Sequence, residues 1–189
     1  MRRLLLLMVG LFMSAMSLHA DADDARERQR RDNQRVLKVF DANGKLVGRL
    51  ASDRSGDGVY LDVDGAIVFA AVTWLRIDVN DTDSSRFQWK TFGPFQYSTT
   101  DCSGSPIISP WSGPRPSIAM RNGAEVTLLI AGDTVSSPAQ IVAVSDGTTC
   151  KPPPVIGHMP PSTAPVPAFT AETSYPLTAH YPEPLTIGY

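Results

Sequence analysis

The sequence predicts an all-β domain, an antiparallel sandwich or small barrel of about eight to ten short strands, and three observations carry that prediction. Apolar residues alternate with polar ones over short runs, turn residues punctuate the chain at short intervals, and no amphipathic helix of ordinary length is present between residues 36 and 150. A disordered, Pro-rich C-terminal tail is expected to follow, so the organisation reads as a signal peptide (1–20), a polar charged arm (21–35), the β domain (36–150) and the tail (151–189).

Arg2 and Arg3 precede an apolar run from Leu4 to Phe12, and small residues follow at Ala20 and Ala22. A positive start, a short apolar stretch and a small-x-small site are the parts of a secretory leader, and the run is too short to span a bilayer comfortably. Cleavage is expected near Ala20 or Ala22. Residues 21–35 interleave arginines with acids and carry almost nothing apolar, which reads as a solvated spacer with transient helix from the pairs Asp24/Arg28 and Glu27/Arg31.

The first hairpin is signalled by Val36–Phe40 and Leu46–Leu50 on either side of Asp41-Ala42-Asn43-Gly44, because Asn-Gly accepts positive φ. Val59, Leu61 and Val63 alternate with Tyr60, Asp62 and Asp64, giving one buried and one wet face before Asp64-Gly65 turns the chain. Ala66–Val72 is continuously apolar and reads as a central strand. Beyond it Leu75, Ile77 and Val79 alternate with Trp74, Arg76 and Asp78, which extends the strand pattern. Phe87–Phe92 is expected as a further strand, and Gly93–Pro116, with five prolines, as an extended loop. Ile118 and Met120 lead to an Asn122-Gly123 turn, with Val126, Leu128 and Ile130 as the returning inner face; Ala139–Val144 supplies one more buried run.

Cys102 and Cys150 are the two cysteines of the chain, and an exported context predicts that they pair. Residues 151–189 hold ten of the sixteen prolines and three charged residues, which predicts an extended tail that fails to join the core. Within it, Tyr175-Pro176-Leu177-Thr178 is echoed by Tyr181-Pro182-Glu183-Pro184-Leu185-Thr186, a pair of short segments that could serve as docking motifs.

The chemistry is bounded by what the domain lacks. No histidine lies between residues 36 and 150, and His158 and His180 fall in the tail, so a Ser-His-Asp, Cys-His or zinc-His site has no rigidly held imidazole. Glu125 is the single glutamate of the domain. The chain is mildly acidic, with 17 basic and 19 acidic residues, which gives no electrostatic case for nucleic acid. No second run approaches membrane-spanning length, so no transmembrane segment is expected in the mature chain.

Two candidate sites emerge. Asp53, Ser55 and Asp57 stand at positions one, three and five of a twelve-residue stretch, with Val59 at seven to offer its carbonyl and Asp64 at twelve. That spacing can wrap a hard cation, so calcium is the candidate cofactor, against an Asp-Gly turn with solvated carboxylates. Trp89 and Trp111 lie in an aromatic-rich stretch with Phe87, Phe92, Phe95 and Tyr97; exposed rings would form a ligand platform, buried ones ordinary core. Asn80-Asp81-Thr82 matches a glycosylation acceptor.

The run Val39-Phe40-Asp41-Ala42-Asn43-Gly44-Lys45-Leu46-Val47-Gly48, the loop Cys102-Ser103-Gly104-Ser105-Pro106, a second Cys and a Pro-rich end resemble the layout of uncharacterised exported bacterial proteins. The resemblance covers residues 36–155, implies a bacterial envelope or secreted location, and carries no activity and no functional residue. The expected function is a secreted or periplasmic binding or surface-interaction module with an extracellular or envelope partner. The alternative is a structural appendage or assembly protein that self-associates through sheet edges or the tail, and an aspartate-dependent hydrolase comes third.

Overall fold

The computed structural model describes residues 36–110, 113–154 and 164–189. The leader, the charged arm and Trp111 lie outside the described residues, as do residues 155–163. The compact unit formed by Lys38–Gly188 is antiparallel β throughout its named strands, with one short helix among the described residues.

The strands in chain order are β1 (Lys38–Phe40), β2 (Leu46–Asp53), β3 (Gly56–Val63), β4 (Ala66–Arg76), β5 (Thr82–Trp89), β6 (Phe95–Tyr97), β7 (Ser117–Asn122), β8 (Glu125–Ala131), β9 (Ser137–Ala139), β10 (Ala143–Ser145), β11 (Cys150–Lys151), β12 (Val166–Ala168), β13 (Ala171–Pro176) and β14 (Thr186–Gly188), with helix α1 (Leu177–His180) between the last two. The described strands outnumber the eight to ten expected because several are only two or three residues long.

The main sheet runs β14-β1-β2-β3-β4-β5. Its two ends meet, since the Phe87 N–H donates to the Leu185 carbonyl at 2.8 Å and the Leu185 N–H donates back to Phe87 at 2.7 Å. The sheet is therefore nearly closed on itself, which removes most of the unpaired edge an open sheet would present. A second sheet, β13-β8-β7, packs on it. The shared core contains Val39, Val59, Leu61, Val68, Val72 and Trp89 from the first sheet and Ala119, Val126, Leu128 and Ile130 from the second.

The turns form where the sequence places them. Asp64 (φ 52°) and Gly65 (φ 83°) are a two-residue hairpin loop between Val63 and Ala66, with the Gly65 N–H donating to the Asp62 carboxylate at 2.9 Å. Positive φ at both positions matches the right-handed twist of the flanking strands. At the first hairpin, buried Asp41 accepts the N–H groups of Asn43 and Lys45, each at 2.9 Å, and so replaces the solvent its carboxylate would otherwise require. Gly58 has a steric cause: a Cβ there would collide with the Ala70 carbonyl and the Phe69 ring on the neighbouring strand.

The C-terminal segment departs from the expectation of a tail that fails to join the core. From Val166 onward it supplies β12, β13, α1 and β14, pairing with β9, β8 and β1. Leu177 and Leu185 are fully buried. Alternation does exist in β13, with Ala171, Thr173 and Tyr175 half-buried and Glu172, Ser174 and Pro176 exposed, but its apolar contrast is weak. The prolines fall at ends and edges: Pro176 ends its strand, and Pro167 faces Pro138 in the two-stranded β9–β12 pair.

The segment is held by a polar junction as well as by apolar contact. Glu183 accepts from Arg121 at 2.9 and 2.7 Å and from the Trp89 N–H at 2.6 Å, while Arg121 also donates to the Trp89 carbonyl at 3.1 Å. The Trp89 indole N–H donates to the Tyr181 carbonyl at 3.2 Å, and the Val126 N–H to the Thr178 hydroxyl at 3.0 Å. Each bond crosses from the C-terminal segment, or from its Arg121 clamp, to a strand far away in sequence.

The third sheet, β11-β10-β6, is closed by the disulfide between Cys102 and Cys150, with an S–S distance of 2.08 Å. Gly93–Pro116 is more ordered than a plain loop, since it contributes β6, a bridge from Ile108 to Phe169 and a parallel bridge from Arg115 to Val68. Ile118 and Met120 face Phe95 and Tyr97 in a smaller cluster, leaving Ser117 and Ala119 on the main-core side of β7. Ile77 and Val79 are exposed because β4 ends at Arg76 and the chain turns sharply, with the Ile77 N–H bonded to the Asp81 carbonyl at 2.9 Å.

Candidate functional site

The calcium spacing does not become a loop. Gly56–Val63 is an extended strand, so Asp53, Ser55 and Asp57 lie at one end of β3 and Asp64 at the other, about 20 Å away at roughly 3.3 Å per residue. Val59 sits inside the ladder, opposite Leu50 on one side and Ala70 on the other. The carboxylates near the turn are engaged locally: Asp53 accepts the Ser55 N–H at 3.0 Å, and Asp57 accepts the Ser52 hydroxyl at 2.6 Å. Among the described residues no group of three or more His, Cys, Asp or Glu side chains could hold a metal ion.

The other aspartates also serve turns. Asp78 accepts from the N–H groups of Asn80 and Asp81, which hold its carboxyl below the usual range. The Ser85 hydroxyl and N–H and the Arg86 side chain likewise lower Asp83, and the N–H groups of Thr149 and Thr148 bring Asp146 to about 2. These groups stay ionised as turn caps. A carboxyl kept protonated for acid catalysis would need the opposite shift.

Trp89 is 1% exposed and is a wall of the core, so it offers no ligand platform; two packed sheets need a large ring there, and its indole N–H is already bonded to Tyr181. His180, the one histidine among the described residues, stacks on Tyr175 with ring centroids 4.3 Å apart. Burial, with Tyr181 nearby, pushes the Tyr175 phenol up to about 12.

A concavity lies where the β2–β3 turn meets the Pro-rich segment. It is a cleft of about 310 Å³ lined by Ser55, Phe92, Pro94, Gln96, Ile107 and Ile118, with Arg54, Ser109 and Ser117 among its polar groups. Its volume is at the low end of small-molecule sites, about 300–1,000 Å³, and its mixture of apolar wall and few polar groups is the usual one. Three elements hold the walls in place. The Ile107 N–H donates to the Gln96 carbonyl at 2.8 Å, the Val142 N–H to the Tyr97 carbonyl at 2.9 Å, and the Lys90 ammonium to the Ser55 carbonyl at 2.7 Å. The Lys90 ammonium also lies over the Phe92 ring, 4.7 Å from its centroid, so it ties the turn to the aromatic wall.

A second groove, of about 330 Å³, has Trp74, Arg76, Gln88 and Lys90 in its lining. No carboxylate lines either concavity. Sequence reasoning missed both: the walls of the first come from segments distant in the chain, and the second forms around an interruption of the β4–β5 ladder that no local turn signal discloses. One signal was present: beyond Val72 the sequence alternates Trp74, Arg76 and Asp78 with Leu75 and Ile77, although within β4 Trp74 is in step with buried Val68, Ala70 and Val72.

Comparisons with protein-family models, curated proteins and solved structures find no match.

Proposed function

We propose that this chain is an exported binding module whose cleft between the β2–β3 turn and Phe92–Ser109 receives a compact apolar group of a ligand. The observation that carries the reading is the combination of Phe92, Pro94, Ile107 and Ile118 in one concave site whose rim is braced by Lys90. An apolar wall open to solvent is stabilised by covering it, and at about 25 cal/mol per Å² even a small ligand gains usable affinity there. The disulfide supports an oxidising compartment, as do the leader-like residues 1–20 and the resemblance to exported bacterial proteins. The turn-capping roles of Asp78, Asp83 and Asp146 favour binding over aspartate-dependent hydrolysis.

The test uses 1-anilinonaphthalene-8-sulfonate as the apolar probe on the disulfide-intact protein. Saturable binding at one site per chain is expected, and Ser109→Trp, which fills the cleft from an exposed position, should weaken it at least tenfold with the melting temperature nearly unchanged. Absence of saturable binding, or equal binding by the filled variant, would refute the reading.

A further inference from the structure

We propose that the groove on β4 and β5 is a separate subsite for an acidic saccharide, with Trp74 as its stacking platform and Arg76 as its carboxylate clamp. The β4–β5 ladder is interrupted here: Trp74 pairs with Phe87, yet Leu75 pairs with Asp83, so Ser84–Arg86 are extra residues on β5. Bulges of this kind re-aim side chains and open a sheet face. The groove is lined on either side of the interruption by two directly opposed pairs, Thr73 with Gln88 and Arg76 with Thr82.

Three observations specify the ligand class. First, Trp74 is 58% exposed in a concave, largely polar surrounding, although an indole left in water forfeits the burial its area would gain. A pyranose ring fits that contrast, because its C–H face packs on the indole while its hydroxyls point to polar neighbours. Second, the side chains of Thr73, Arg76, Thr82, Gln88 and Thr91 make no hydrogen bond to other groups among the described residues, so an amide, three hydroxyls and a guanidinium are uncommitted around the ring. Donors and acceptors in that mixture match sugar hydroxyls, which both give and accept. Third, Arg76 places a guanidinium in a lining that has no carboxylate, on a chain whose net charge is −2, while the Lys90 ammonium is held at the Ser55 carbonyl. Arg76 can meet a carboxylate through two parallel N–H donors, a geometry an acidic sugar supplies and a neutral one does not.

This subsite shares no lining residue with the apolar cleft. The experiment titrates the full chain with trigalacturonate, maltotriose and adenosine monophosphate, following tryptophan fluorescence and heat. Trigalacturonate is expected to bind saturably and at least tenfold more tightly than maltotriose. Trp74→Ala should weaken it at least tenfold, Trp74→Phe should recover part of the loss, and Arg76→Gln should abolish the preference for the acidic sugar. Both positions are exposed, so melting temperatures close to the native value show that the variants fold. Ser109→Trp should leave trigalacturonate binding unchanged, which separates this proposal from the cleft. No saturable trigalacturonate binding, equal binding by Trp74→Ala, a preference untouched by Arg76→Gln, or tighter binding of the nucleotide would each overturn it.

Discussion

Two Pro-rich segments, Gly93–Pro116 and residues 164–188, have similar composition and opposite roles. The first lies largely outside the main core and walls the apolar cleft through Pro94 and Ile107, beside the preceding Phe92. The second runs into the core, where Leu177 and Leu185 are fully buried and Leu185 links the ends of the main sheet. Proline removes one donor at its own position and leaves its neighbours free to pair. Its density along a stretch therefore says little about docking. What separates the two segments is where the apolar residues between the prolines find a surface.

The sharpest way to break that comparison is to remove the second segment. A chain ending before Ala164 would expose Leu128, Ile130 and the β1 edge, and it should show no cooperative unfolding transition in calorimetry. Retention of a native-like melt would make the segment an accessory. The corresponding bond of the first segment is the disulfide, which closes a separation of 48 residues. Replacing both cysteines by serine should cost about 4 kcal/mol in the chain-entropy account, read by denaturant titration. It should also weaken the fluorescent probe at the cleft, because β6 would lose the tie between the Cys102 loop and β11.

A smaller effect is expected at the polar junction. Glu183→Ala leaves Arg121 and the Trp89 N–H without their carboxylate partner, for a loss of roughly 2 kcal/mol in the same titration. Glu183→Gln should recover part of it. The least effect comes from Tyr175, whose phenol is raised to about 12 by burial and by Tyr181. The folded state favours the neutral phenol, so this contribution is complete below about pH 10, the ordinary tyrosine value, and is lost as pH rises toward 12. Burial also raises Tyr97, so ultraviolet titration should find late tyrosine ionisation whose amplitude Tyr175→Phe reduces by one group.

The comparison also explains what the sequence could disclose. Hairpins β1–β2 and β3–β4 were legible because their turn chemistry is local: Asn43-Gly44 and Asp64-Gly65 lie between strands that pair with their immediate neighbours. The pairing of β13 with β8 was not, because the turn signals between them do not say which distant ladder the chain will join, and because Ala171, Thr173 and Tyr175 offer little apolar contrast with Glu172 and Ser174. The cysteine pair was readable from count and context. Of the sites, the calcium spacing was a pattern in one dimension that the extended β3 pulls apart, and Trp89 satisfied the same aromatic signal by going into the core. The first cleft joins segments distant in the chain and the second groove rests on the interruption of the β4–β5 ladder, so only Trp74, alternating with Leu75 and Ile77, left a trace.

Hydrogen exchange followed by mass spectrometry, on the full disulfide-intact chain with and without 1-anilinonaphthalene-8-sulfonate, tests the division between the two segments most directly. Amides of residues 171–176 and 185–188 should exchange only through global unfolding and be indifferent to the probe, whereas amides across 93–109 should exchange faster and slow when the probe binds. Exchange of 171–188 at the rate of an unstructured chain, or no protection of 93–109 by the probe, would contradict the account.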